Sequence, residues 1–99
     1  MGMFDEDAEA ASHCAELMKA IAHPLRLRIA SLLCEGDSNV GALAERLGVA
    51  QSFASQQLRI LRMAGLVQAS RDNAFVNYRL AEPRLKQLIR SLEVCALAR

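Results

Sequence analysis

The sequence predicts a mainly α-helical domain with one β-hairpin, and three observations predict it. Apolar residues recur at helical spacing over most of the chain. The period changes to two only in "LVQASRDNAFVNYRL", between Leu66 and Leu80. Aliphatic residues are plentiful, aromatics make up 4% and Trp is absent, which suits helices better than a β-sandwich. At 99 residues the chain is long enough for a single domain, 1–99, with one modest core. That is near the size at which a partner subunit helps.

The first helix is expected over residues 6–22, with Ala11, Cys14, Met18 and Ile21 spaced as one apolar stripe. It stops before Pro24, which disfavours helical geometry at the preceding residue. Pro24 then suits the first position of a second helix, "PLRLRIASLLC", because its missing amide hydrogen has no partner there. Gly36 ends that helix. Asn39 can cap a third helix carrying Val40, Leu43, Ala44 and Leu47, and Gly48 terminates it. A fourth helix follows at once and ends at Gly65. Two helices joined by a tight Gly-containing turn make a helix-turn-helix pattern. In the next segment Val67 and Ala69 alternate with Gln68 and Ser70, and Val76, Tyr78 and Leu80 alternate with Asn77 and Arg79. That is the period of half-buried strands, with "RDNA" supplying the turn. A hairpin in that place is a wing. The expected fold is therefore a winged helix-turn-helix, with the hairpin between the fourth and fifth helices. The fifth helix, residues 83–98, opens at Pro83 and lines up Leu85, Leu88, Leu92 and Cys95; it is longer than a monomer of this size needs to cover its own core.

The fourth helix carries the functional signal. In "GVAQSFASQQLRILRMAGLV", Ser52, Ser55, Gln56 and Arg59 share one face at about 100° per residue, with Ala54, Leu58 and Leu61 opposite. A face that only meets solvent more usually carries Lys and Glu, the better surface helix formers. In a helix-turn-helix the second helix enters the major groove. Gln56 can pair with adenine, Ser52 and Ser55 can meet a base or a phosphate, and Arg59 can take guanine or phosphate. Arg71, expected at the hairpin tip, has the reach for a phosphate or the minor groove. Net charge is only +1, so nucleic-acid binding must come from local charge. That asymmetry exists: the N-terminus "MGMFDEDAEAA" is acidic, whereas Gln51 to Arg71 holds three arginines and no acid. Reading the serines and glutamines as a solvated surface leaves the hairpin and this asymmetry as coincidences.

Other classes find little support. No Ser/His/Asp or Cys/His arrangement, phosphate-binding glycine loop or carboxylate pair suggests an enzyme. No stretch approaches the roughly 20 apolar residues of a membrane span, and no signal segment or complete myristoylation motif is seen, so no membrane role and a cytoplasmic location are expected. Three cysteines, Cys14, Cys34 and Cys95, do not make a disulfide framework. A winged helix that binds protein instead of DNA is the other non-enzymatic reading; it predicts no salt-dependent DNA affinity.

The segments "AIAHPLRLRIASLL", "NVGALAERLGVAQSFASQQLRILRMAGLV" and "FVNYRL" together resemble the ArsR/SmtB family of small bacterial winged-helix repressors, over about Leu17 to Leu92. The resemblance implies a homodimer, paired through the first and last helices, that occupies an inverted-repeat operator in double-stranded DNA until an effector releases it. It places Gln51, Ser52, Ser55, Gln56 and Gln57 at the family's recognition-helix positions. It also allows the family's metal sites to be checked. The thiolate site resembling "ELCVCDL" would fall on "NVGALAE", which has no cysteine, and the zinc site of the last helix lacks acidic and His ligands at helical spacing. Neither standard site nor any cofactor is expected.

Each cysteine lies in an apolar stretch, where a free thiol is commonly buried. His23 is expected to serve the junction at Pro24, and His13 to lie on the surface. One branch of the family senses persulfides or oxidants through two cysteines, on the second and last helices, which here would be Cys34 and Cys95. The register differs: the family positions align with Ser31 and near Leu97. A two-residue shift turns a side chain by about 200°, and a disulfide needs α-carbons within roughly 7 Å. The expected switch is a bridge between Cys34 and Cys95. The alternatives are arsenite or a thiophilic metal held by Cys14, Cys34 and Cys95, with Cys14 possible from a partner chain, or no small-molecule effector.

Overall fold

The computed structural model describes residues 2–99. Its elements in chain order are α1 (Met3–Glu6), α2 (Ala8–Ile21), α3 (Pro24–Glu35), β1 (Ser38–Asn39), α4 (Val40–Leu47), α5 (Gln51–Met63), β2 (Val67–Asp72), β3 (Phe75–Leu80) and α6 (Leu85–Leu97). The expected helices and hairpin are present in the expected order. The expected first helix, however, is broken at Asp7. Its extended backbone (φ −124°) lets its side chain accept from the Ala10 amide at 3.0 Å, a use that aspartate favours over a helix interior. The last helix starts two residues later than expected, after a turn at Pro83 and Arg84 in which the Leu85 and Lys86 amides bond to the Glu82 and Pro83 carbonyls.

Local chemistry sets the remaining boundaries. His23 accepts from the Leu25 amide at 3.1 Å, so the residue before Pro24 caps α3 directly. Asn39 accepts from the Ala42 amide at 2.8 Å and starts α4. Gly48 ends α4 at φ 69°, a left-handed backbone that costs glycine little.

Ser38 and Asn39 also form a short strand not foreseen in the sequence. It pairs with Tyr78 and Asn77 of β3, giving a three-stranded antiparallel sheet in the order β1-β3-β2. The hairpin register runs from Val67 opposite Leu80 to Asp72 opposite Phe75. Its turn is therefore Asn73–Ala74, with Asn73 at φ 56°, and Arg71 belongs to the strand, paired with Val76 one step from the tip.

One core joins these elements: Ile29 and Leu33 of α3, Leu43 of α4, Leu58 and Leu61 of α5, then Leu66, Val67 and Ile89. α6 buries only Ile89 in it. Leu88 and Leu92 remain 40% and 39% exposed, and Met18 of α2 is 61% exposed. Together with Ile21, Pro24 and Leu27 they line an apolar groove of about 470 Å³. The radius of gyration, 14.5 Å, exceeds the about 13 Å of a compact domain of this length. No helix among the described residues is long and apolar enough to cross a membrane.

α3 and α6 are also linked by polar groups. The Ser31 hydroxyl donates to Glu93 at 2.6 Å and Arg90 donates to the same carboxylate at 2.7 Å. These bonds, Ser31 first, hold the Glu93 carboxyl below the usual carboxylate range. A lowered folded value stabilises the protein above the ordinary carboxylate value of about 4.3, and the contribution disappears as pH falls through the folded value. The thermal midpoint of Glu93→Gln should therefore lie below that of the parent at pH 7, and the gap should narrow steadily as pH falls below the ordinary carboxylate value. A gap that persists in acid would contradict the assignment.

Candidate nucleic-acid interface

α5 divides into two faces as its residue types demand. Ala54, Leu58 and Leu61 are fully buried, and they seat the helix on α3 and α4. Ser52, Ser55, Gln56 and Arg59 are exposed together on the other side. Met63, next along that side, is 82% exposed. No side chain caps the N-terminus of α5 at Ala50, so its first amides lack side-chain acceptors, and a helix start of this kind suits phosphate oxygens. Gln51 is exposed but leans toward α4, where a Cβ added to Gly41 would stand 3.4 Å from its Nε2.

Gln57 departs from the expectation that it faces DNA. It is 7% exposed, and its Oε1 accepts from Arg26 Nη1 of α3 at 3.0 Å. At about 100° per residue it stands some 140° round the helix from Ser52, on the flank of the buried face. Burial and an internal donor take it out of the reading surface. Arg62, not singled out from the sequence, belongs there instead. It is exposed and shares a groove with Ser55, Arg59, Met63 and Tyr78 of β3. Its signal was its position three residues after Arg59, one turn along the same face.

The electrostatics agree with this geometry. Among the described residues the ion pairs are Lys19–Glu16, Arg46–Glu35, Arg84–Glu82 and Arg90–Glu93. Arg59, Arg62 and Arg71 enter none of them, and Arg71 is exposed on the wing. Three uncommitted guanidiniums on one helix face and the adjoining hairpin form a local positive surface on a nearly neutral chain.

The cysteines are not brought together. Cys34 is 6% exposed in the core, Cys95 is exposed and Cys14 is half-buried; all three are free thiols. Cys34 lies in the field of Lys86, Arg90 and Glu93, which share one side of α6. Cys95 falls roughly 170° round that helix from them. A bridge from Cys34 to Cys95 within one chain therefore does not match the fold. Burial pushes the Cys34 thiol above its ordinary value, with Arg90 and Lys86 opposing and Glu93 and Glu35 adding to the rise. A thiol so held is a poor nucleophile, since reactivity follows the thiolate. Among the described residues no group of three or more His, Cys, Asp or Glu side chains is placed to hold a metal, so Cys14, Cys34 and Cys95 of one chain do not assemble a thiolate site.

Residues 23–69 match the family described as bacterial regulatory protein, arsR family. The chain is 40% identical to the biofilm growth-associated repressor of Xylella fastidiosa, over 91% of its own length and 80% of that protein's. The crystal structure of the transcriptional repressor BigR from Xylella fastidiosa superposes with a TM-score of 0.84 at 36% identity, covering 96% of each chain. A homodimeric winged helix-turn-helix DNA-binding domain from Mycobacterium bovis, solved in solution, superposes with a TM-score of 0.82 at 31% identity, covering 97% of this chain and 87% of that one.

Proposed function

Because this chain belongs to the ArsR family of bacterial DNA-binding transcriptional regulators, we propose that it is a homodimeric repressor that sets two copies of α5 into successive major grooves of an inverted-repeat operator. The observation that carries this reading is the exposed face of Ser52, Ser55, Gln56, Arg59 and Arg62 standing opposite the fully buried Ala54, Leu58 and Leu61. Each chain offers one such helix, and the apolar groove between α2, α3 and α6 supplies a surface for a second copy. Gln56 reads a base edge, the serines meet bases or phosphates, and the arginines hold the backbone.

Two substitutions separate reading from holding. Gln56→Ala should weaken binding to the preferred operator by about 1–3 kcal/mol while leaving affinity for unrelated duplexes unchanged. Arg71→Ala should weaken binding to all duplexes alike and reduce the salt slope by about 1. Titrations of both variants against operator and unrelated DNA at several salt concentrations check the pair. A uniform loss for Gln56→Ala would place that residue on the backbone instead.

Control by cysteine chemistry enters the proposal in altered form. Cys95 is exposed and borders the Leu88 and Leu92 stripe of α6, so a persulfide or oxidant meets it first, while Cys34 stays protected as a neutral thiol. Modification there changes the surface through which two copies pair, and a coupling of about 1–3 kcal/mol gives a 5- to 150-fold change in DNA affinity. Peptide mass spectrometry after persulfide, peroxide or arsenite treatment tests it. Modification at Cys95 accompanied by DNA release, both abolished in Cys95→Ser, supports this route. A Cys34–Cys95 linked peptide would restore the bridge, and release by arsenite alone would favour a thiolate site shared between chains.

A further inference from the structure

We infer that Arg26 and Gln57 form a strut that fixes the recognition helix against the dimer-forming helices and so sets which half-site spacing the protein accepts; this rests on the dimeric reading above. Gln57 is the one buried polar side chain among the described residues, and it sits on the helix proposed to read DNA. Its partner is not a neighbour on that helix but Arg26, half-buried on α3 and 31 residues away in sequence. The same guanidinium also donates from Nε to the main-chain oxygen of Ala20, in the last turn of α2. No carboxylate lies within ion-pair distance of Arg26 among the described residues. Its position is therefore set by these two neutral acceptors.

One planar group thus joins three helices. α2 carries Met18 and Ile21 to the apolar groove, α3 carries Arg26 itself, and α5 carries the reading face. The guanidinium holds its donors in a rigid fork. A rotation of α5 against α2 must therefore pull one of the two acceptors out of line, where a hydrogen bond weakens steeply. The last turn of α2 and its groove residues are where a second copy would pair. Their angle to α5 then becomes the angle between two recognition helices, which DNA reads as a spacing.

Spacing is the readout that a purely structural role would not move. Inserting two base pairs between half-sites turns one relative to the other by about 70° and moves it about 7 Å, which a rigid dimer cannot follow. The parent protein is first used to select its operator from a random duplex pool, and the spacing of the recovered half-sites is then varied. The parent should lose about 100-fold in affinity on the two-base-pair insertion, within the range in which paired binding exceeds single binding. Replacing both partners with apolar residues, Arg26→Met with Gln57→Leu, avoids leaving an orphaned polar group. That pair should discriminate spacings by less than about fivefold, with single half-site affinity within about threefold of the parent. Gln57→Glu keeps an acceptor for Arg26 and should keep the parent's discrimination. Arg26→Lys keeps the charge but has no fork to span both acceptors, and it should lose discrimination even where the apolar pair folds poorly. Parental discrimination in Arg26→Lys or in the folded apolar pair overturns the strut. A parent that recovers no paired half-sites overturns the dimeric reading, and the strut with it; the parent's own behaviour tells the two failures apart.

Discussion

A chain carrying Leu88→Glu and Leu92→Glu should remain folded, become monomeric and lose about 100- to 10,000-fold in affinity for a paired operator. Both side chains are well exposed in the single chain, at 40% and 39%, so two carboxylates there meet water and cost the monomer little. Between two copies the same carboxylates would be enclosed against Met18, Ile21 and Leu27. An isolated charge in apolar surroundings is strongly disfavoured without a partner. The recognition face is untouched, so binding to a single half-site should persist at the parent's level. Sedimentation and a duplex titration together check both halves of this expectation. A dimer that survives both substitutions would place the subunit contact elsewhere.

The second large effect is on folding itself. Leu58→Ala should destabilise the protein by about 2–5 kcal/mol, out of a total of about 5–15 kcal/mol for a domain of this kind. Leu58 is fully buried at the centre of a core shared by α3, α4, α5 and the base of the wing. Removing its methyl groups leaves a cavity that fixed helices close only in part. Met63, on the same helix, is 82% exposed, and Met63→Ala should change stability by less than about 0.5 kcal/mol. Chemical denaturation of the two variants gives the contrast. Equal losses would mean that α5 is packed on a different face.

How much of this was legible in the sequence follows from the range of each interaction. The two faces of α5 were readable because a helix repeats its environment every turn, and Ala54, Leu58 and Leu61 lie where that repeat puts them. The wing strands were readable from the alternation of Val67, Ala69, Val76 and Tyr78. β1 was not: two residues have no period, and Ser38 and Asn39 become a strand only because β3 comes alongside. The break at Asp7 depends on a capping bond that competes with an otherwise continuous helical pattern. Gln57 was drawn into the reading face by family resemblance, although the helical repeat already set it apart from Ser52. Its partner, Arg26, is 31 residues away, a separation over which spacing carries no information. The expected pairing of Cys34 with Cys95 rested on their elements alone. Knowing that Cys34 and Cys95 lie on α3 and α6 does not say which side of α6 faces α3. The Ser31–Glu93 bond sets the side of α6 that meets α3, and Cys95 stands about 200° round the helix from Glu93.

Whether two chains act together on one operator, as proposed above, is decided by footprinting with counted protein on the selected duplex. Two chains should be bound per duplex, with two protected segments centred about 34 Å, or one helical turn, apart, and with both segments lost together as protein is diluted. One chain per duplex protecting a single half-site would contradict the proposal.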